Sequence, residues 1–349
     1  MEPLHTGTKD FHSNSRDDLL LSTEYVHIPT NGNGGQMRAR FWGTRGSLPA
    51  AADTLNLRQK MIDILRASQG RQFSSHDDIV KFADTHFSFS QSGFYGTNTS
   101  CVEITGGDEY VICDAGSGIR DLSRHVMASD EERYRTFHIF LSHLHWDHIQ
   151  GFPFFMPRYI AGNTVILYGG HSHIEEAFAY QQEFSNISLS DRADIRFEGL
   201  QPGRNYNIAG FDVRPIRQNH PGDSYGYRFE RNGKTVVYSS DCEHRDHEST
   251  DYPFIDFFKD ADLLIIDAQY RANDAFGPKE NWGHSSNTVV AEVGARAGVK
   301  RLCMFHNEPT VDDADLEKFL HETRRYLEIY DPESTMKIDL AYDGLEISV

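Results

Sequence analysis

The sequence predicts an α/β protein. Short β-rich runs recur at 101–104, 110–113, 136–141, 164–168, 195–200 and 211–216, each of strand length and bounded by turn formers. Two more, 225–230 and 234–238, flank Arg231-Asn232-Gly233, and Asn-Gly favours the type I′ turn of a two-residue hairpin. Further on, helical stretches at 173–184, 286–298 and 312–329 alternate with strands at 263–267 and 301–305. Two sheets with helices on their outer faces, a four-layer αββα sandwich, satisfy this order. A doubly wound sheet satisfies it too, and periodicity does not choose between them.

The elements follow in order. Residues 1–36 are polar and end in Pro29-Thr30-Asn31-Gly32-Asn33-Gly34-Gly35, too poor in apolar side chains to order themselves, so a disordered or weakly ordered tail is expected. One domain then spans 37–349, opening on the strand-like Arg38-Ala39-Arg40-Phe41-Trp42 and the turn-forming Gly43-Thr44-Arg45-Gly46-Ser47. At about 51–92 the pattern becomes helical, with Leu55, Ile62, Leu65, then Ile79, Val80, Phe82 and Ala83 at three- and four-residue spacings. This block reads as an insertion on the rim of the domain.

Composition narrows the function. A formal charge of −18 in 349 residues disfavours a nonspecific grip on nucleic-acid phosphates, so no stable nucleic-acid binding is expected. Cys101, Cys113, Cys242 and Cys303 form no C-x-x-C pair and sit mostly in apolar runs, as buried thiols of a cytoplasmic protein do. No leader or membrane-length apolar run stands out, so no membrane partner is expected. A homodimer is the commonest closed assembly, and the insertion offers a surface for it.

The chemistry is concentrated in Ser142-His143-Leu144-His145-Trp146-Asp147-His148, an H-x-H-x-D-H segment following the apolar run Phe137 to Leu141. Four imidazole and carboxylate groups within six residues suit zinc, with manganese or iron as alternatives. His143 and His145 share one face of an extended segment, whereas Asp147 and His148 follow a change of direction, so two neighbouring metals can be served. Three later strands each run into a further donor: His220, Asp241 and His306. Cys242 is set aside because side chains alternate at a strand end. His171, His173, His244 and His247 lack spacing partners and are expected at the surface or the pocket rim.

This set resembles the metallo-β-lactamase-fold hydrolases. The resemblance covers roughly 38–50 and 93–349, and it implies the αββα sandwich with the helical insertion left unexplained. It also implies two divalent metal ions, one held by His143, His145 and His220 and the other by Asp147, His148 and His306. Asp241 would bridge them, and Asp114, after the strand at 110–113, would support the site.

Asn281-Trp282-Gly283-His284-Ser285-Ser286 before a helix, and Asp267 ending a buried strand, resemble the phosphodiesterase branch of that fold, which includes the tRNA 3′-processing endonucleases (tRNase Z-like). On that likeness His284 is the general acid and Asp267 its orienting carboxylate; with Asp147 they make up the catalytic set. The segments 41–49 and 95–101 are similar to bacterial metal-dependent phosphodiesterases related to cyclic-nucleotide phosphodiesterases, with Arg45 or Asn98 as low-priority anion contacts. No glycine- and basic-rich arm is found between His148 and His220. The expected function is therefore a dinuclear phosphodiesterase acting on a small, preferably cyclic, nucleotide. A thioesterase or lactonase on the same fold, and a non-catalytic metal-dependent nucleotide sensor, are the alternatives.

Overall fold

The computed structural model describes residues 35–128, 135–184, 192–244, 254–275 and 277–349. The tail expected at 1–36 and His247 fall outside them, except for positions 35 and 36.

The first sheet contains β1 (Arg38–Gly43), β2 (Cys101–Thr105), β3 (Tyr110–Cys113), β4 (Thr136–Phe140), β5 (Thr164–Gly169) and β6 (Asp194–Gly199). The second contains β7 (Tyr206–Ile208), β8 (Phe211–Gln218), β9 (Ser224–Arg231), β10 (Lys234–Ser239), β11 (Leu263–Asp267), β12 (Arg301–Phe305) and β13 (Lys337–Leu340). The chain then returns to the first sheet, where β14 (Glu346–Ser348) pairs with β1. Spatial orders are β14-β1-β2-β3-β4-β5-β6 and β13-β12-β11-β10-β9-β8-β7. Strands β3 to β6 and β10 to β13 run parallel, and the rest of each sheet is antiparallel. The β9–β10 hairpin pairs Arg231 with Lys234 across Asn232 and Gly233, both at positive φ as a type I′ turn requires.

Side-chain alternation sorts the core into three layers of contact. Phe140 on β4, Ile265 on β11 and Phe305 on β12 point between the sheets. Their neighbours Ile139 and Leu141 pack outward on α4 (Ile119–Met127) and α6 (Ile174–Phe184), with Ile119, Leu122 and Phe178. On the other side Leu264, Ile266 and Met304 meet α9 (Asn287–Arg296) and α10 (Asp313–Tyr330) through Val290, Val293 and Phe319. Strands buried on both faces and helices outside both sheets make the αββα sandwich, and the doubly wound alternative falls.

The insertion is helical, as its spacing predicts: α1 (Thr54–Ala67), α2 (His76–His86) and α3 (Phe89–Ser92). It docks through Lys60, whose ammonium reaches the Asp313 carboxylate at 2.7 Å and the Gly93 carbonyl at 2.6 Å, through Ser88, whose hydroxyl donates to Glu317 on α10 at 2.6 Å, and through Phe89 against Tyr342. α1 buries no side chain, and Leu55, Met61 and Leu65 are exposed. The described residues also hold the one-turn helices α5 (Trp146–Ile149), α7 (Ile255–Phe258) and α8 (Ala272–Ala275). No described helix is long and apolar enough to cross a membrane.

Candidate metal centre

The cluster forms where strands end. Asp114, Asp241 and His306 follow β3, β10 and β12, and all three have positive φ, at 62°, 47° and 63°. Non-glycine residues avoid that region, so their backbones are held there by the surrounding fold, a feature concentrated at functional sites. It turns each side chain off its strand into the gap between the sheets. The H-x-H-x-D-H segment enters the same gap from the end of β4.

The side chains assemble in two sets. Ligand-type atoms of His143, His145 and His220 lie within 4.8 Å of one another, and so do those of Asp147, His148, Asp241 and His306. In the second set His306 Nε2 and His148 Nε2 each sit 3.1 Å from Asp147 Oδ2 and 3.3 Å from Asp241 Oδ1. The other Asp241 oxygen, Oδ2, faces the first set, 3.6 Å from His143 Nε2 and 3.9 Å from His220 Nε2. One carboxylate thus presents an oxygen to each set. All seven sequence-predicted donors are brought together.

The rings are oriented from behind. Asp114, fully buried, accepts from Ser142 N, Ser142 Oγ, Tyr238 OH and His148 Nδ1, each at 2.7 Å. His220 Nδ1 donates to the Gly283 carbonyl at 2.9 Å, and His306 Nδ1 to Gln269 Oε1 at 3.3 Å. These bonds leave the Nε2 lone pairs of His148, His220 and His306 pointing into the cluster. Two glycines permit the packing: a Cβ on Gly46 would lie 2.4 Å from the His306 ring, and one on Gly283 would lie 2.3 Å from His220 Nδ1. Ser47 N donates to Asp147 Oδ2 at 2.8 Å from the same turn.

The electrostatics suit divalent cations. Burial holds His143 well below its ordinary pKa, the neighbouring His148 adding to the effect, so its imidazole is a neutral donor. Burial lowers His145 and His220 likewise, against the pull of Asp241. Burial also opposes ionising Asp147, yet His148 and His306 hold it well below the carboxylate range. Nε2 of His143 and of His148 are buried without an aligned hydrogen bond. Against the effect of burial, the buried carboxylates of Asp147, Asp241 and Asp114 push His148 above its ordinary value and still leave an excess of negative charge, which cations between the two sets would balance. The donor set therefore fits the metals that the fold implies.

Beside the cluster lies His284, its Nδ1 2.6 Å from Asp267 Oδ2 and 4.0 Å from Asp241 Oδ2. Its ring stacks on His306 at 5.0 Å and meets His220 edge-on at 5.2 Å. Burial opposes its protonation, but Asp267 raises it to about 9. Ser286 caps α9, accepting from Val289 N.

Some expectations are corrected. Arg45 is no anion contact: its guanidinium is buried and donates to the carbonyls of Gly96, Glu308 and Val311, tying the 43–49 turn to two loops. Asn98 is committed too, its amide nitrogen to Asp121 and its oxygen to Ser117. His244 is not a surface residue but lies buried against Phe254 and Phe258. His171 is buried at the Gly222–Asp223 turn, while His173 is exposed. Cys242 is buried with Sγ 3.7 Å from His244 Nδ1, and the other three cysteines are buried free thiols. Sequence reasoning passed over Ser47, Tyr238, Glu243 and Gln269; only Tyr238, three residues before Asp241 on an inward register, carried a signal.

Residues 109–307, more than half of the chain, match the family described as beta-lactamase superfamily domain, and the chain belongs to it. It is a metallo-hydrolase-superfamily protein of the metallo-β-lactamase fold. Among known proteins it is similar to the probable metallo-hydrolase YhfI of Bacillus subtilis, 27% identical over 217 residues that cover 61% of this chain and 82% of that one. The YhfI crystal structure superposes with a TM-score of 0.60 at 19% identity, over 90% of this chain and 100% of that one. Ribonuclease Z of Thermoplasma acidophilum is 22% identical over 309 residues, 71% of this chain and 95% of that one. The structure of unliganded yeast PDE1 shares the fold, with a TM-score of 0.57, 12% identity and coverage of 90% and 99%.

Proposed function

We propose that the protein is a dinuclear metal-dependent phosphodiesterase that hydrolyses a small nucleotide phosphodiester, a cyclic nucleotide fitting best. The observation that carries this reading is the His284–Asp267 pair set against the cluster, 4.0 Å from Asp241. The alkoxide expelled from a nucleotide phosphodiester needs a proton at that place, and an imidazole held by Asp267 is positioned to give it. A ribonuclease among the relatives, itself acting on phosphodiesters by name, agrees with that class.

His143, His145 and His220 would hold one cation and Asp147, His148 and His306 the other, with Asp241 shared. Zinc suits the imidazole-rich first set, and manganese or iron are alternatives. Bound there, the pair supplies Lewis acidity for the phosphoryl oxygens and water activation at neutral pH. His284 delivers its proton from Nε2 to the leaving oxygen while Nδ1 stays hydrogen-bonded to Asp267. Asp267, fixed in turn by Gln269 N at 3.0 Å, keeps the ring oriented through that transfer. Asp147 contributes by holding His306 and the Ser47 turn in place.

Turnover of 2′,3′- and 3′,5′-cyclic nucleotides and of a bis-aryl phosphodiester, compared with a thioester and a lactone, tests the reading. Phosphodiester activity is expected, and activity on carbonyl substrates alone overturns it. His284→Ala should lower phosphodiester turnover about 10²-fold or more with metal content unchanged, as loss of a general acid does.

A further inference from the structure

Two of the three tryptophans are exposed and are chain neighbours of cluster residues. Trp146 is 66% exposed and joins His145 to Asp147 in the chain; Trp282 is 57% exposed and precedes Gly283 and His284. Neither indole makes a ring contact or side-chain hydrogen bond among the described residues. Both are nevertheless mounted on fixed backbone. Trp146 opens α5, with its carbonyl accepting from Gln150 N at 2.7 Å. Trp282 lies between two peptides pinned by Glu243, whose carboxylate accepts from Asn281 N and Gly283 N, each at 3.1 Å.

The two tryptophan-bearing segments meet on one side of the site. His145 Nδ1 lies 3.2 Å from His220 Nε2, and His220 Nδ1 bonds the Gly283 carbonyl at 2.9 Å. His220 thus touches both tryptophan-bearing segments. The third tryptophan, Trp42, is buried and donates its indole N–H to Glu103 at 3.0 Å, in the layer outside the first sheet.

We infer that Trp146 and Trp282 form an aromatic platform on the His145–His220 side of the cluster, which stacks the planar base of a nucleotide whose phosphate lies at the metals. The inference rests on the phosphodiesterase reading and adds the substituent that the substrate carries. Exposed indoles on rigid backbone suit such a role, because stacking needs a flat face already in place and is tolerant of which base is stacked.

Titration of the metal-loaded protein with adenosine 5′-monophosphate and, separately, with ribose 5-phosphate, followed by tryptophan fluorescence, tests the platform. The nucleotide should quench emission and bind about 10-fold or more tightly than the sugar phosphate, a difference within the range of one stacked base. Trp146→Ala and Trp282→Ala should each weaken nucleotide binding about 5-fold or more and leave ribose 5-phosphate binding within about 2-fold, with the corresponding Phe variants retaining nucleotide affinity. Equal affinity for the two ligands, or alanine variants that bind the nucleotide as the parent does, overturns the platform. Cleavage of the bis-aryl diester is scored independently. Protein that stacks the nucleotide yet cleaves no phosphodiester keeps the platform and loses the hydrolytic reading; cleavage without base discrimination does the reverse.

Discussion

Asp114 shows how much one residue outside the donor set can carry. Its carboxylate, wholly buried, is the acceptor for four donors, and one of them is the Nδ1 that orients His148. Asp114→Ala should cost about 3 to 5 kcal/mol of stability by stranding those donors, and metal affinity should fall about 10- to 100-fold. Chelator competition and urea unfolding measure the two losses, and wild-type metal affinity in the variant would refute the orienting role. His244 supplies a pH effect. Burial pushes it down to about 4, whereas in the unfolded chain it titrates near its ordinary value of 6.5. The unfolded state therefore binds more protons between those values, so the contribution is intact above pH 6.5 and is lost as pH falls toward 4. The loss amounts to about 3 kcal/mol. His244→Phe should flatten that segment of the stability profile; a profile parallel to wild type would show the ring to be protonated in the fold. The seven donors were legible because a histidine or aspartate directly after an apolar strand is a local pattern. Gln269, Glu243 and Ser47 were not, since an amide, a carboxylate and a backbone N–H acquire their roles only when distant loops meet.

Elements long enough to repeat their period were legible almost to the residue. β11 and β12 fall at Leu263–Asp267 and Arg301–Phe305 as their unbroken apolar runs indicate, and α10 fills Asp313–Tyr330. β7, β13 and β14 were missed: each is three or four residues long, too short for alternation to show, and is strand only because a neighbour offers hydrogen bonds. α4 was missed for another reason, since its Arg120, Asp121, Arg124 and His125 dilute a nine-residue window although Ile119, Leu122 and Val126 line one buried face. The insertion shows the limit of periodicity, because spacing located α1 but not its outward apolar side chains. Leu55, 75% exposed, and Leu65, 66% exposed, gain little from folding. Leu55→Gln and Leu65→Gln should each shift stability by no more than about 0.5 kcal/mol, whereas Leu264→Ala in the fully buried α9-facing layer should cost about 2 to 5 kcal/mol. Urea midpoints decide it, and a loss above about 1 kcal/mol at either exposed leucine would mean that α1 is covered.

At the scale of the molecule, the pairing of strands into two sheets was beyond local reading. β6 hands over to β7 in the other sheet, and β14 returns across the whole chain to β1, yet neither event marks the residues on either side. The family likeness chose the sandwich, and the three-layered core bears it out. Net charge is the global property that bears on substrate size. On the proposed reading a net −18 would repel long RNA, while a mononucleotide would need only the metals and a stacking surface. Affinity for a mononucleotide should accordingly change by less than about 3-fold between about 50 and 200 mM salt, because few counterions are released. A protein making about 6 to 10 backbone contacts loses about 10³- to 10⁵-fold over the same interval. Structured RNA should show no saturable binding at the higher salt in a filter or anisotropy assay. Tight binding of such RNA with a steep salt slope would reveal a basic tract hidden in the acidic total, and would move the substrate class from small diesters to polynucleotides.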